Sequence, residues 1–384
     1  MARRRKASAP IDSSLLESLA LVNDPRSHVG LCHPLKSILT LSICGVLCGA
    51  DNWVAIQDWA NAKKDWLEGF LDLPNGIPSH DTLGRVFAVI DPEEFQQAFI
   101  KWTASLSKSL KGQVIAVDGK TLRRSFDRAN ESASIHMVSA WCTAQGLSLG
   151  QEKTEAKSNE ITAIPSLLKK LKLAGAIVTI DAMGCQKKIT AAIREQNADY
   201  VIAVKDNQPK LHEGIKTWFE EGIELDREVS KMRVASTEEH GHGREEERAI
   251  WIGPAPADLV PEGAWAGLQS VACVERLRIA GGKQSIQYSY YISSLPPDDP
   301  GRVLEIVRQH WGIENSLHWV LDMAFREDEA RVRINNAAEN MSRLRQMALN
   351  LIKMEPDRKV GVKTARMRAG WDNNYLIKIL GASS

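Results

Sequence analysis

Val114–Arg124 reads VIAVDGKTLRR. Its first four residues are apolar, three of them β-branched, and form a run that reads as a strand entering a core. The run then delivers Asp118, a glycine and the basic residues Lys120, Arg123 and Arg124. A carboxylate at the end of a buried strand is costly unless something compensates it. Taken alone, Asp118-Gly119 is also a common turn pair. The pattern recurs at Ile177–Asp181, IVTID, followed by AMG. Two strands that each end in aspartate weaken the turn explanation. Together they offer a hard, anionic oxygen site suited to Mg²⁺ or Mn²⁺.

Working outward, IHMVSAWCT (135–143) and LSLGQEKT (147–154) read as two more strands. ITAIPSLLKKLKLA (161–174) reads as a helix whose regular part starts at Pro165, since proline suits a first turn. After IVTID come a helix, KKITAAIREQNA (187–198), and a strand, YVIAVKD (200–206). Successive strands suggest a meander, and the later helical crossovers imply parallel neighbours. A mixed five-stranded sheet with helices on its faces fits this order, which is the ribonuclease H-like arrangement. In it the first and fourth strands are adjacent, so Asp118 and Asp181 are expected close together.

Residues 1–110 read as a separate helical domain, with apolar residues at i, i+3 and i+4 in LLESLALV, ILTLSICGVL, WVAIQDWA and FQQAFIKWTASL. In IPSHDTLGRVF (77–87), Ser79 or Asp81 is the expected N-cap. Residues 207–299 shift to an acidic helical stretch, WFEEGIELDREVSK, and then three strands, RAIWIG, LQSVACVERLRI and SIQYSYYISSL. This is read as a β-rich insertion between the sheet region, 111–206, and the helical return, 300–384.

The 384 residues carry a net charge of +1, so no global field draws in nucleic acid and any anion binding must be local. Six cysteines include no CxxC pair, and no apolar run follows the basic start Met1–Lys6, so reduced thiols and a cytoplasmic location are expected. The least polar stretch, Ser37–Ala50, has fourteen uncharged residues, too few to span a bilayer.

In VLEIVRQHWGIENSLHWVLDMAF (303–325), His310, Glu314, His318 and Asp322 recur every four residues and form one stripe of a helix. Ile313, Leu317, Val320, Leu321 and Ala324 form the adjoining apolar face. Trp311 and Trp319 argue that the stretch is not fully exposed, and Glu314 is the candidate third acidic ligand. Two basic patches could follow phosphates: six basic residues and one acid over 101–124, and eight basic residues and two acids over 342–368. HGHGREEER (240–248) has two histidines at i, i+2 without the cysteine or acid pairing a tetrahedral zinc site needs.

VDGKTLR, TIDAMGCQ, YVIAVKDNQP and HWGIENSLHWVLDMAFREDEARVR, in that order, resemble the DDE transposases of bacterial insertion sequences. The branch is the one related to the H-repeat-associated proteins found near Rhs elements. DPRSHVGLCHPLKSILTLSICGVLCGADNW and IPSHDTLGRVF resemble that branch's associated helical domain. The resemblance implies that Asp118, Asp181 and Glu314 bind two divalent ions, Mg²⁺ or Mn²⁺. It implies hydrolysis of the phosphodiester at the element's ends and attack of the freed 3′-hydroxyl on target DNA. Partners would be double-stranded DNA (terminal inverted repeats and target) and further copies of the chain, as a dimer or larger assembly, in a bacterial nucleoid. Residues expected to contact DNA are Lys120, Arg123, Arg124, Lys205, Asn207, Gln208, Arg244, Arg308, His310 and His318. Related transposases carry Arg four residues before the Glu and Lys seven after; here those positions are His310 and Leu321. A copy that only binds DNA, and a ribonuclease H-like nuclease without strand transfer, are the alternatives.

Overall fold

The computed structural model describes residues 11–27, 31–126, 133–155, 159–224, 231–241, 244–257, 259 and 263–381. Six helices come first: α1 (Ser13–Leu19), α2 (Leu35–Leu47), α3 (Trp53–Ala62), α4 (Lys64–Glu68), α5 (His80–Val89) and α6 (Pro92–Leu106). Ser79, not Asp81, caps α5, accepting a hydrogen bond from the Thr82 amide. The uncharged stretch becomes α2, which is buried along nearly its whole length. No described helix is long and apolar enough to cross a membrane.

The sheet follows: β1 (Val114–Thr121), β2 (His136–Cys142), β3 (Leu147–Lys153), β4 (Ile177–Ile180) and β5 (Asp199–Val204), with α7 (Glu160–Lys170) and α8 (Lys187–Glu195) between them. β1 to β3 form an antiparallel meander, while β1, β4 and β5 run parallel. Pro165 lies inside α7 rather than at its start, because Asn159 caps the helix earlier through its contact with the Ile161 amide.

The sheet has nine strands, not the expected five, in the order β3-β2-β1-β4-β5-β9-β8-β7-β6. After α9 (Pro209–Glu224), the strands β6 (Arg233–Gly241), β7 (Arg244–Pro254), β8 (Ser270–Ala280) and β9 (Lys283–Ser293) form a meander. β9 pairs antiparallel with β5 from Val201↔Ser293 to Val204↔Tyr290. A five-stranded sheet would leave β5 with a free edge of unpaired amides and carbonyls, and the insertion satisfies that edge. β6 is the strand missed from sequence. Its residues, RVASTEEHG, alternate between exposed and half-buried and lack an apolar face.

Strand alternation sorts the core. Ile115, Val117, Val178 and Ile180 face α7, α8 and α9. Val114, Ile177 and Val201 face the other side, under α10 (Pro300–His310). Beyond α10 lie a π-helical turn at Glu314–His318 and the helices α11 (Trp319–Phe325), α12 (Ala337–Met354), α13 (Val362–Trp371) and α14 (Asn373–Leu380). The helices before residue 107 and those after residue 312 share one hydrophobic core, which also takes in Ala116 and Trp141 of the sheet.

A carboxylate cavity at the sheet's carboxyl edge

β1 pairs with β4 only from Val114↔Ile177 to Val117↔Ile180, although β1 itself runs on to Thr121 against β2. Asp118 is therefore not at a strand end. It is the first residue of β1 beyond the end of its parallel partner, and there its side chain reaches an opening. Carrying the register one residue further sets Asp118 beside Asp181, on the face of Ala116 and Thr179, with strands about 4.8 Å apart. Both aspartates and Glu314 line one cavity of about 500 Å³, with Thr179, Lys205, His310 and residues 287–291 of β9.

Glu314 arrives on the π turn, where the Trp319 amide donates to the Glu314 carbonyl five residues back. Such turns recur at functional sites because they re-aim side chains within a helix. Ile313, Leu317 and Leu321 are buried beneath it. The stretch is not fully exposed, as expected, but Trp311 and Trp319, the residues that suggested it, are themselves 60% and 58% exposed; its burial rests on Ile313, Leu317, Leu321, Phe325 and His318. The stripe read from the fourfold spacing does face the sheet. His310 Nδ1 lies 3.0 Å from Thr179 Oγ1, His318 Nδ1 lies 3.3 Å from Glu314 and 3.5 Å from Asp118, and Asp322 contacts Lys120.

Charge is concentrated here. Burial pushes the Asp118 carboxyl up to about 6; His318 and the Gly119 amide oppose the rise, and Glu160 and Asp181 add to it. Burial and Glu160 also raise Asp181, against the amides of Gly184 and Met183 and the charge of Lys205. Glu314 is held below its ordinary value, first by its hydrogen bond with His318. Burial drives His310 down to about 4, so it stands in the cavity wall as a neutral imidazole. One ligand atom from each of Asp118, Glu314 and His318 lies within 4.8 Å of the other two, which makes these the described residues best placed to hold a cation. Asp181 also caps a turn, accepting from the Met183 amide at 3.1 Å. For Asp181 the turn reading and the site reading therefore coexist.

The basic and polar residues expected at the site are placed differently from one another. Lys120 is enclosed among Asp322, Glu327 at 3.0 Å and Asp328 at 3.7 Å. These partners tie β1, two residues past Asp118, to the segment that follows Glu314, and they leave Lys120 little of its charge for a phosphate. Arg123 pairs with Asp328 at 3.1 Å but is mostly exposed, and Arg124 and Lys205 are exposed. Asn207 donates to the Ala182 carbonyl at 2.6 Å and Gln208 to the Cys185 carbonyl at 3.0 Å, so both brace the turn that follows Asp181. Arg308 pairs with Glu239 of β6 instead of facing the carboxylates. Arg244 opens β7 opposite Gly241 in a hairpin, and His242 lies outside the described residues.

The basic patch at 342–368 is not one continuous surface: Lys359, Lys363 and Arg368 are exposed, but three of its arginines are not. Arg343, Arg345 and Arg366 are buried, paired with Glu339 at 2.6 Å, Glu327 at 3.8 Å and Asp51 at 2.6 Å. The helical spacing that suggests a face cannot tell a solvated arginine from one inside a core of paired charges.

One group escaped the sequence reading. His136 of β2 lies 2.7 Å from Glu160, the first residue of α7, and 2.9 Å from the Thr121 hydroxyl. The pair sits directly over Gly119: a Cβ there would lie 2.2 Å from the Glu160 carboxylate and 2.4 Å from His136 Nε2. The glycine in VDGK thus serves close approach within a strand, not a turn. Only the Asp-Gly pair itself marked the place.

Sequence comparison identifies the family. The Transposase DDE domain model matches residues 109–351, and the DDE_Tnp_1-associated model matches residues 16–103. The chain belongs to the DDE transposase family. Among its relatives, "Putative transposase YncI" of Escherichia coli O157:H7 is 40% identical over 97% of this chain and 95% of its own length. "H repeat-associated putative transposase YhhI" of Escherichia coli K12 is 39% identical over 96% and 98%. "Inactive transposase YbfQ" of the same strain is 40% identical, but over 19% of this chain. A piggyBac transposase synaptic complex with hairpin DNA, solved by cryo-EM, aligns over 96% of this chain and 78% of that one, at 10% identity and a TM-score of 0.42.

Proposed function

We propose that this chain is an active DNA transposase, cutting at the ends of its own element and joining the freed 3′-hydroxyl to target DNA. The observation that carries the proposal is the meeting of Asp118, Asp181 and Glu314, far apart in sequence, in one cavity. We read strands β1 to β5, in the order 3-2-1-4-5, as ribonuclease H-like. Residues 111–206 and 300–384 form the catalytic domain, 207–299 the insertion and 1–110 the associated helical domain.

The donor set fits a divalent cation: two carboxylates in contact range, and an Asp118 carboxyl whose charged form is disfavoured until positive charge joins it. Asp118, Asp181 and Glu314 would hold two such ions, Mg²⁺ or Mn²⁺, which neutralise charge on the scissile phosphate and activate the attacking group. The protein's own residues do the rest. Asn207 and Gln208 fix the turn that carries Asp181. The Lys120 cluster sets the distance between β1 and the Glu314 segment. Neutral His310 offers a hydrogen bond without adding charge, and exposed Arg123, Arg124 and Lys205 are placed to follow the DNA backbone. Double-stranded DNA is the partner, bound by two or more copies of the chain.

The test is a duplex bearing the DNA that flanks this gene, incubated with Mg²⁺ or Mn²⁺. The wild type should cut at the element's ends and yield joined products from a precut 3′-hydroxyl end. Asp118→Asn should bind but cut on the order of a thousandfold more slowly, the scale of several kcal/mol of lost transition-state stabilisation. Wild-type cutting by Asp118→Asn would refute the site assignment. Binding without any cutting would mark a DNA-binding copy, and cutting without joined products a simple nuclease.

A further inference from the structure

His318 belongs to the π turn, 4% exposed, between two acidic residues. Its Nδ1 is 3.3 Å from Glu314 Oε2 and 3.5 Å from Asp118 Oδ2. Its other nitrogen, Nε2, is enclosed and has no hydrogen-bond partner among the described residues. All the polar contacts of this ring therefore lie on the side of the two carboxylates.

Around a six-coordinate ion with ligands at about 2.1–2.2 Å, neighbouring ligand atoms stand about 3 Å apart and opposite ones about 4.3 Å. His318 Nδ1 stands 3.3 Å and 3.5 Å from the two carboxylates, and one ligand atom from each of the three residues lies within 4.8 Å of the others, which comes close to that pattern. Asp181 lies outside this compact group, with its carboxylate engaged by the Met183 amide. Burial also rules out an imidazole that drifts into place from solvent: Leu317 and Leu321 on either side of it are fully packed.

Resting on the proposed function, the geometry points to His318 as a ligand, through Nδ1, of the cation that Asp118 and Glu314 hold. We propose that this gives the chain a two-oxygen, one-nitrogen centre. Such a donor set favours a transition ion such as Mn²⁺ over Mg²⁺, which binds oxygen almost exclusively.

The experiment is electron paramagnetic resonance on the full-length protein titrated with Mn²⁺, without DNA. Pulsed spectra of the wild type should show coupling from a directly bound nitrogen. That coupling should change when histidine is ¹⁵N-labelled, vanish in His318→Gln and persist in His310→Ala. Mg²⁺ competition should show a wild-type preference for Mn²⁺ of about tenfold or more, shrinking severalfold in His318→Gln, in the range by which ligand-shell changes alter metal affinity. Mn²⁺ bound in an Asp118-dependent way but with no nitrogen coupling in the wild type would overturn the ligand assignment and leave the proposed function standing. No Asp118-dependent Mn²⁺ binding would overturn both. The wild-type spectrum decides the matter even if the variants fold poorly.

Discussion

Gly119 is a position where one added methyl group would be felt directly at the site. Its Cβ would fall inside contact distance of both members of the His136–Glu160 pair. Gly119→Ala should destabilise the protein by about 1–3 kcal/mol, the range for overpacking a filled site, and lower its thermal midpoint. The double variant Gly119→Ala/Glu160→Ala should recover part of that loss in the same melting experiment. If the single variant melts like the wild type, the pair is not held against the strand. The sequence announced Asp118 and Asp181 because two short β-branched runs each end in aspartate. It could not announce His136 or Glu160, whose meaning comes from a contact across the sheet.

Among elements, the tie between β1 and the segment after Glu314 carries the next predictions. Lys120 is the hub, and Glu327 is its most buried partner, also bonded to Ser342 at 3.0 Å. Burial works to raise the Glu327 carboxyl, but the charges of Lys120 and Arg345 and the hydrogen bonds of Lys120 and Ser342 hold it below its ordinary 4.5. A carboxyl depressed in the folded state stabilises fully above its unfolded value, and that contribution fades as pH falls through the folded value. Glu327→Gln should therefore be less stable than the wild type at pH 7, and the gap in urea midpoint should narrow below about pH 4.5. Lys120→Met removes the nearest cation from Asp322 and the buried Glu327, leaving Glu327 with only the more distant Arg345 at 3.8 Å, and should cost about 3–5 kcal/mol at pH 7. The fourfold stripe from His310 to Asp322 was readable because i and i+4 stay neighbours on α- and π-helical turns alike. For the same reason the π turn itself was not. Lys120 looked like a phosphate ligand because its acidic partners follow some two hundred residues later.

For the molecule as a whole, the shared core of early and late helices is the feature with most consequence for stability. Asn340 of α12 bonds the carbonyls of Phe87 and Ile90, and Arg366 of α13 bonds the Val46 carbonyl. A fragment of residues 111–384 would bare that core, and it should be insoluble or lack a cooperative unfolding transition. Co-expression with residues 1–110 should restore it, as read by soluble yield and circular dichroism. Periodicity identified α1, α2, α3 and α6, and a capping residue marked α5, but the short α4 (Lys64–Glu68) went unread, as did what these helices pack against. The insertion's strands were legible where they are apolar. Their joining to β5 was not, because one strand's free edge leaves no mark in another's composition.

That join changes how a duplex could enter. Hydrogen bonds run without a break from β3 across the strands bearing both aspartates to β6, so one wall of the cleft is a single woven surface. On the proposed function, admitting DNA would fall to the opposite wall, the α10–α11 segment, whose hold on the sheet beside the aspartates includes one lysine's ion pairs and a threonine–histidine hydrogen bond.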